Sequence, residues 1–271
     1  MLWQSYPDQD SVGTVGVPIT YDAAGRTAAI PGITTSATYD ARGWVTAVTR
    51  GNGVASTYGY SPERGRLESL QTLSGAATVQ DFTYQRLGDG QISGITSSLL
   101  GESWTYGYDD LKRLTSAVNT DEPAHSRTYT YDSVGNITFK SDVGAYSYHL
   151  PGSPRPHAVT GAGGNTYSYD ANGHMDEVRD DTGTVVRFLT WDGEDRPIAI
   201  DGITFHYGSD GARWKKVDTG TGEITSTLEE IEIQEAGTVN EVTVKYLPGS
   251  ARRTGTTTLW HHKDHLNSVQ A

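Results

Sequence analysis

The sequence predicts an all-β fold, a curved antiparallel sheet of about ten β-hairpins in series. Three observations predict it. First, the chain keeps restarting at Tyr-Asp: Tyr21-Asp22, Tyr39-Asp40, Tyr108-Asp109, Tyr131-Asp132 and Tyr169-Asp170. Degraded starts fall at Tyr60, Tyr84, Tyr148, Trp191-Asp192 and Tyr207, so successive starts lie 16 to 24 residues apart. Second, aromatic residues two apart precede seven of these starts, as in Tyr58/Tyr60, Phe82/Tyr84, Tyr106/Tyr108, Tyr129/Tyr131, Tyr146/Tyr148, Tyr167/Tyr169 and Phe205/Tyr207. Third, 32 Gly and 16 Tyr stand against 2 Met, and Leu-rich helical periodicity is missing.

Each repeat divides into three parts. A spacing of two puts both rings of a pair on one face of a strand. The residue between them, such as Gly59, Thr130 or Ser168, points to the other face. The turn follows: Asp folds back onto nearby N–H groups and Gly supplies positive φ. The pairs Asp22 and Gly25, Asp40 and Gly43, Asp132 and Gly135, and Asp170 and Gly173 carry this structural turn motif. A return strand then opens with Arg, Asn or His, with apolar residues three apart, as in Val45/Val48, Leu67/Leu70, Ile92/Ile95, Met175/Val178 and Trp214/Val217. That spacing does not fit a flat strand and predicts a bulge or twist. A lone hairpin is marginal in water, so neighbours must pair edge to edge.

Composition excludes several classes. A net charge of −12 argues against non-specific nucleic-acid or anionic-membrane binding, which need a basic face. Without cysteine there are neither disulfides nor thiolate metal sites. No segment reaches the ~18–20 apolar residues of a membrane span. The start, Met1-Leu2-Trp3-Gln4-Ser5-Tyr6-Pro7, lacks the basic and apolar regions of a signal peptide, and it reads as the start of a piece cut from a longer chain.

Three regions are expected. Residues 1–20 form an N-terminal edge segment and 21–224 the repeats. Residues 225–271 form a long hairpin and a closing segment. In that hairpin the acid–apolar alternation of Leu228 to Glu235 turns at Ala236-Gly237 into Thr238 to Lys245. Pro151-Gly152-Ser153-Pro154-Arg155-Pro156 interrupts the repeats as a loop.

These Tyr-Asp-x-x-Gly-Arg units resemble the RHS, or YD, repeat family from about Tyr21 to the end of the chain. Leu259-Trp260-His261-His262-Lys263-Asp264-His265-Leu266-Asn267-Ser268 resembles the segment that closes the family's repeat region, with Asn267 where Gly is usual. Asn tolerates positive φ, so the turn is expected to survive. The resemblance implies a spiral of hairpins forming part of a hollow shell, as in insect-toxin C components, bacterial polymorphic toxins and teneurins. It implies a bacterial protein exported to the cell surface or medium. Its partners would be the remainder of the shell and a C-terminal toxin or effector cargo. The family's self-cleavage motif lies downstream of this segment in many relatives. None precedes Ala271, so no catalytic residue is assigned.

Other chemistry is weighed against these structural roles. His261, His262, Asp264 and His265 are the one dense group of metal-ligand types, but strand alternation splits them between two faces, so no metal or other cofactor is expected. The repeated Asp residues are turn formers before they are acids, which disfavours a hydrolase built on the shell. Gly-x-Ser-x-Gly is absent, and Gly161-Ala162-Gly163-Gly164 leads into a strand instead of a phosphate-binding helix. Tyr129, Tyr131, Tyr167 and Tyr169 could stack on a glycan, as in an adhesin module. Cross-strand pairing is the commoner use of such rows. Exposed sheet edges would invite self-association.

Overall fold

The computed structural model describes residues 3–8, 10–150 and 152–270. Met1, Leu2 and Gln9, Pro151 of the expected loop, and Ala271 lie outside the described residues. The described residues form an all-β protein whose single helical turn is the short 3-10 segment Pro123–His125. The chain divides into two compact units. One comprises Met1–Gly107, Val118–Ser126 and Lys245–Ala271, and the other Tyr108–Ala117 and Arg127–Val244.

In the first unit, strands Thr34–Tyr39, Val45–Arg50, Ala55–Tyr60, Leu67–Ser74, Ala77–Arg86 and Ile92–Thr96 each pair antiparallel with the next. Short hairpins Gln4–Ser5 with Ser11–Val12 and Thr20–Tyr21 with Thr27–Ala29 precede them. Strands Ala251–Thr254 and Thr257–Trp260 pair near the end of the chain. In the second unit the same sequential pairing runs from Arg127–Tyr131 to Ile231–Gln234.

Nine of the ten sequence starts are the last residue of a strand, among them Tyr39, Tyr60, Tyr131, Tyr169 and Tyr207. In these five strands the register shifts immediately before that residue. Tyr60 faces Leu67 while Gly59 faces Ser69, which leaves Glu68 extra on the return strand. The same insertion leaves Thr46, Thr138 and Asp176 extra opposite Thr38/Tyr39, Thr130/Tyr131 and Ser168/Tyr169. One extra residue restores Leu67 and Leu70 to a common face with Tyr58 and Tyr60, which accounts for the spacing of three. The inserted side chain bonds the residue between the rings: Thr130 Oγ1 to Thr138 Oγ1 at 2.7 Å, and Ser168 Oγ donating to Asp176 at 2.7 Å.

Three expectations are corrected. Tyr84 is not a repeat start, because its strand continues to Arg86 and turns at Leu87–Gln91. Arg86 faces Ile92 across the bulge, and Tyr84 falls two residues back, opposite Ile95. Trp214 does not open an apolar pair with Val217. Arg213 faces Tyr207, and Trp214 is the inserted, exposed residue with its ring 5.9 Å from His206. The long hairpin turns at Glu229-Glu230, not Ala236-Gly237, since Ile224–Leu228 already pairs with Ile231–Gln234 and Glu229 takes the left-handed conformation at φ 50°. Thr238 to Asn240 then lie in a loop that joins the strand Val242–Leu247.

A hydrophobic core lies in the first unit. Leu70, Phe82 and Tyr84 are buried against Tyr58, Leu67, Ile92 and Ile95. Beside them runs a buried polar line in which Ser56 Oγ meets Thr72 Oγ1 at 2.8 Å, and Thr72 meets Gln80 Oε1 at 3.1 Å. The N-terminal hairpin is pinned to the same unit by Lys245, whose ammonium is 2.6 Å from both Asp8 and Asp10. Burial alone would lower the Lys245 pKa, but hydrogen bonds to Asp10 and Asp8 outweigh it and hold the pKa above its ordinary value.

Candidate functional site

The repeated motif is a connector between neighbouring hairpins. Asp109 Oδ1 accepts the N–H groups of Leu111 and Arg113, two and four residues on, at 3.0 and 2.9 Å. Asp22, Asp132 and Asp192 cap their turns in the same way. The glycine at the third position completes the loop. Gly25, Gly43 and Gly173 donate their N–H groups to the carbonyls of Asp22, Asp40 and Asp170 at 3.0, 3.0 and 3.1 Å. Their φ values of 78°, 90° and 100° lie in the left-handed region, where a side chain would be strained. At Gly173 a Cβ would in addition come within 3.3 Å of Arg155 Nε, so that position is also sterically tight.

The second carboxylate oxygen takes the side chain at the fourth position: Arg26 and Arg113 at 2.7 Å, Arg196 at 2.8 Å, Asn136 at 2.9 Å, His174 at 3.1 Å. This is why these return strands open with Arg, Asn or His. The Asp40 turn departs from the rule. Trp44 stands at its fourth position and gives the carboxylate its backbone N–H at 3.0 Å, while the second oxygen takes Arg42 instead, at 2.9 Å. The pKa values of Asp22, Asp109 and Asp192 are held below the carboxylate norm, first by the backbone N–H of the fourth residue. For Asp40, Asp132 and Asp170, partial desolvation opposes the shift most strongly, yet the turn hydrogen bonds still lower the pKa.

The arginine at the fourth position then reaches the next repeat. Arg26 Nη1 donates to the Asp40 carbonyl at 3.1 Å and its guanidinium lies 4.6 Å from the Tyr39 ring centre. Arg113 does the same with Asp132 and Tyr131. The tyrosine answers in the reverse direction. Tyr39, Tyr131, Tyr148, Tyr169 and Tyr207 each donate their hydroxyl to a carbonyl at the base of the preceding return strand, at 2.7 to 2.8 Å. Tyr131 and Tyr169, two of the glycan candidates, therefore spend their polar ends inside the scaffold. Tyr129 and Tyr167 are half-buried one pair position earlier on the same strands.

The repeat led by Phe82 and Tyr84 breaks this pattern. Arg86 stands in the tyrosine slot and donates to the Leu67 carbonyl at 3.3 Å. The Tyr84 hydroxyl is buried without a hydrogen bond. Burial first, and then the charge of Asp264, push its pKa up to about 12; the nearby His265 backbone pulls the other way without completing a bond. The His265 ring packs edge-on to Tyr84 with centres 4.8 Å apart.

His265 belongs to the closing segment, and that segment is another copy of the turn. Asp264 Oδ1 accepts Leu266 and Ser268 N–H at 2.8 and 2.9 Å, while Asn267 occupies the positive-φ position at 65°. The segment is fastened by Trp260 Nε1, which donates to the Ile33 carbonyl at 2.8 Å, and ahead of it Arg50 Nη1 donates to the Gly249 carbonyl at 2.7 Å. His262 is buried, and burial followed by the charge of Arg50 lowers its pKa; burial likewise leads the lowering for His261 and His265. Among the described residues no group of three His, Asp or Glu side chains comes together to hold a metal ion. Asp264 spends its carboxylate on the turn, and His265 turns toward Tyr84. A cavity of about 320 Å³ opens beside this contact, lined by Phe82, Tyr84, Trp104, Tyr106, Glu102 and His265 among others. The Trp104 and Tyr106 rings are nearly parallel, 6° apart with centres at 6.4 Å.

A family model for the RHS repeat matches residues 39–78, the two hairpins that begin at Tyr39 and Tyr60. The chain carries an RHS repeat. No curated protein sequence matches the chain. Among solved structures, the Photorhabdus luminescens Tc holotoxin pore matches 99% of this chain with TM-score 0.65 and 18% identity. The TcdB2-TccC3-TEV structure matches 100% with TM-score 0.66 and 17% identity. The TcdB2-TccC3 structure without its hypervariable C-terminal region matches 99% at 0.63 and 18%. In each case the chain spans 16% of the matched chain's length. The likeness establishes a shared fold.

Outside that match, RHS-like turns recur through features legible in the sequence: Asp, Gly and the paired rings. Sequence reasoning does not single out the buried polar residues Arg50, Thr72 and Gln80. Their signal is alternation, since Leu70/Thr72 and Gln80/Phe82/Tyr84 are each two apart and so share a face. The Asp8–Lys245 and Asp10–Lys245 pairs leave no local signal because their partners are 237 and 235 residues apart.

Proposed function

We propose that this chain is a structural section of a larger RHS shell that encloses and delivers a C-terminal toxin or effector. The observation that carries the reading is the interlocking of repeats. The Asp carboxylates close their own turns, while Arg26, Arg113 and the strand-ending tyrosines reach the neighbouring repeat, so these side chains are spent on the scaffold and not on a shared catalytic centre. The fold shared with Tc toxin structures over nearly the whole chain supports it. Under this reading, residues 1–20 form an edge segment, 21–224 the repeats and 225–271 the closing part. The partners are the rest of the shell and its cargo, the source is an exported bacterial protein, and sheet edges left uncovered would self-associate. No helix among the described residues is long and apolar enough to cross a membrane. The test is protease protection in the full-length parent protein. The downstream segment should resist digestion until the shell is opened by denaturant. Digestion at the rate of the same segment expressed alone contradicts the proposal.

A glycan-binding reading is favoured by a different observation, the parallel Trp104 and Tyr106 rings beside a cavity that also holds Glu102. Flat ring pairs of this kind suit the apolar face of a sugar. Loss of glycan-array signal in Trp104→Ala, with retention in Tyr167→Ala, would support this site over the earlier tyrosines. Absence of any glycan signal removes the reading.

A further inference from the structure

A second cavity, of about 160 Å³, lies under the closing segment, entirely within the first unit. Arg50, Gln80 and His262 line it together with Tyr58, Lys263 and Asp264. Three of these side chains are more than nine-tenths buried: Gln80 is 1% exposed, His262 7% and Arg50 9%. Each has a buried polar atom without a hydrogen bond, namely Arg50 Nε, Gln80 Nε2 and His262 Nδ1. Buried polar atoms are almost always satisfied, and three orphans around one small space call for a common partner.

The character of that partner follows from charge and direction. Arg50 Nε and Gln80 Nε2 are donors, and a neutral His262 can place its proton on Nδ1. The hydroxyl line Ser56–Thr72–Gln80 delivers its bonds to Gln80 Oε1, which leaves the amide N–H groups for the cavity. Arg50 forms no ion pair among the described residues; the one hydrogen bond of its side chain goes to a neutral carbonyl. Asp264 is the one carboxylate in the lining, and its oxygens are taken by Leu266, Ser268 and Gln270. A buried guanidinium without a counter-charge is costly, and an anion in the cavity would supply one. Water could satisfy the donors but would leave the charge unpaired.

We propose that the cavity bounded by Arg50, Gln80 and His262 is a binding site for one small oxyanion, of the carboxylate or phosphate class, that locks the closing segment onto the first unit. Arg50 supplies the charge, Gln80 and His262 fix the orientation, and the segment from His261 to Asn267 forms the lid. Occupancy joins strand Val45–Arg50, whose Arg50 side chain otherwise bonds only the Gly249 carbonyl among the described residues, to the closing segment.

Isothermal titration tests this directly, with sodium formate and sodium phosphate each read against sodium chloride at matched ionic strength. One saturable site is expected for at least one oxyanion. Formate alone would assign a planar ligand, phosphate alone a tetrahedral one. Affinity should fall about tenfold or more in Arg50→Met and in Gln80→Leu, since each loses a buried donor to an anion. At ten times the dissociation constant, ligand should raise the folding equilibrium constant of the parent chain about elevenfold. If Arg50→Met does not fold, Gln80→Leu decides, because leucine keeps most of the volume and removes the donor. No saturable binding of either anion, or unchanged affinity in the folded variants, overturns the proposal and leaves the cavity to water.

Discussion

The hairpins from Tyr131 to Tyr207 and the hairpin of Phe82 and Tyr84 use the same residue types to opposite ends. In the first group the second ring ends its strand, and its hydroxyl grips the preceding repeat. At Tyr84 the strand runs two residues further, arginine takes over the grip, and the ring is sealed under the closing segment. A two-residue displacement keeps a side chain on its face but moves it from the end of a strand to its middle. That shift turns a connector into a core residue. The comparison teaches that an aromatic pair in this fold does not carry one fixed role. Its distance from the turn decides it.

The largest expected effect separates packed from open sheet. Leu70→Ala should cost about 2–5 kcal/mol, the usual loss for a fully buried leucine. Phe188→Ala, at a side chain 54% exposed on the strand Val185–Trp191, should stay within about 0.5 kcal/mol. Urea midpoints at constant slope read both. Equal losses would mean that the two regions are packed alike.

Backbone conformation comes next. Gly135 has φ 96° and open space around it, so Gly135→Ala should cost about 1–2 kcal/mol through conformation alone. Asn267→Gly should be neutral or stabilising by up to about 1 kcal/mol, because the same position of the closing turn is already left-handed. A loss in Asn267→Gly would show that the Asn side chain has a role beyond its backbone.

The two regions should also separate by pH. His262 and His265 have folded pKa values below the ordinary 6.5, so the unfolded chain binds the extra protons first. The docking of the closing segment should therefore weaken as pH falls below about 6.5. The Asp turns are the opposite window. Their folded pKa values lie below 3.8, so their contribution is present above that value and lost as pH falls through the folded pKa. Hydrogen exchange at the Gln270 amide, bonded to the His262 carbonyl, should accelerate between pH 7 and 5 after correction for intrinsic rate. The Asn136 amide, bonded to the Asp132 carboxylate, should not.

Much of the fold is legible because its determinants are local. Asp with Gly three residues on dictates the turn, rings two apart dictate the face, and the spacing of three in Leu67/Leu70 marks the bulge. What is illegible depends on register or on distance. Nothing within the Phe82–Arg86 stretch says that the turn waits until Leu87. Trp214 reads as the first return-strand residue because Arg213, a charged side chain, occupies the apolar slot. The cavity beneath His262 joins strands near residues 50 and 80 to a segment near 262, and no local pattern encodes that meeting.

The most direct test of the connector account is a pair of conservative changes, Tyr131→Phe and Tyr84→Phe, compared by chemical denaturation at pH 7. Removing the Tyr131 hydroxyl deletes its bond to the Leu114 carbonyl and should cost about 0.5–1.5 kcal/mol. Removing the unpartnered Tyr84 hydroxyl should be neutral or stabilise the chain, by up to about 1–3 kcal/mol. Opposite signs, or a loss confined to Tyr131, are the predicted result. Equal losses at both positions would contradict the account.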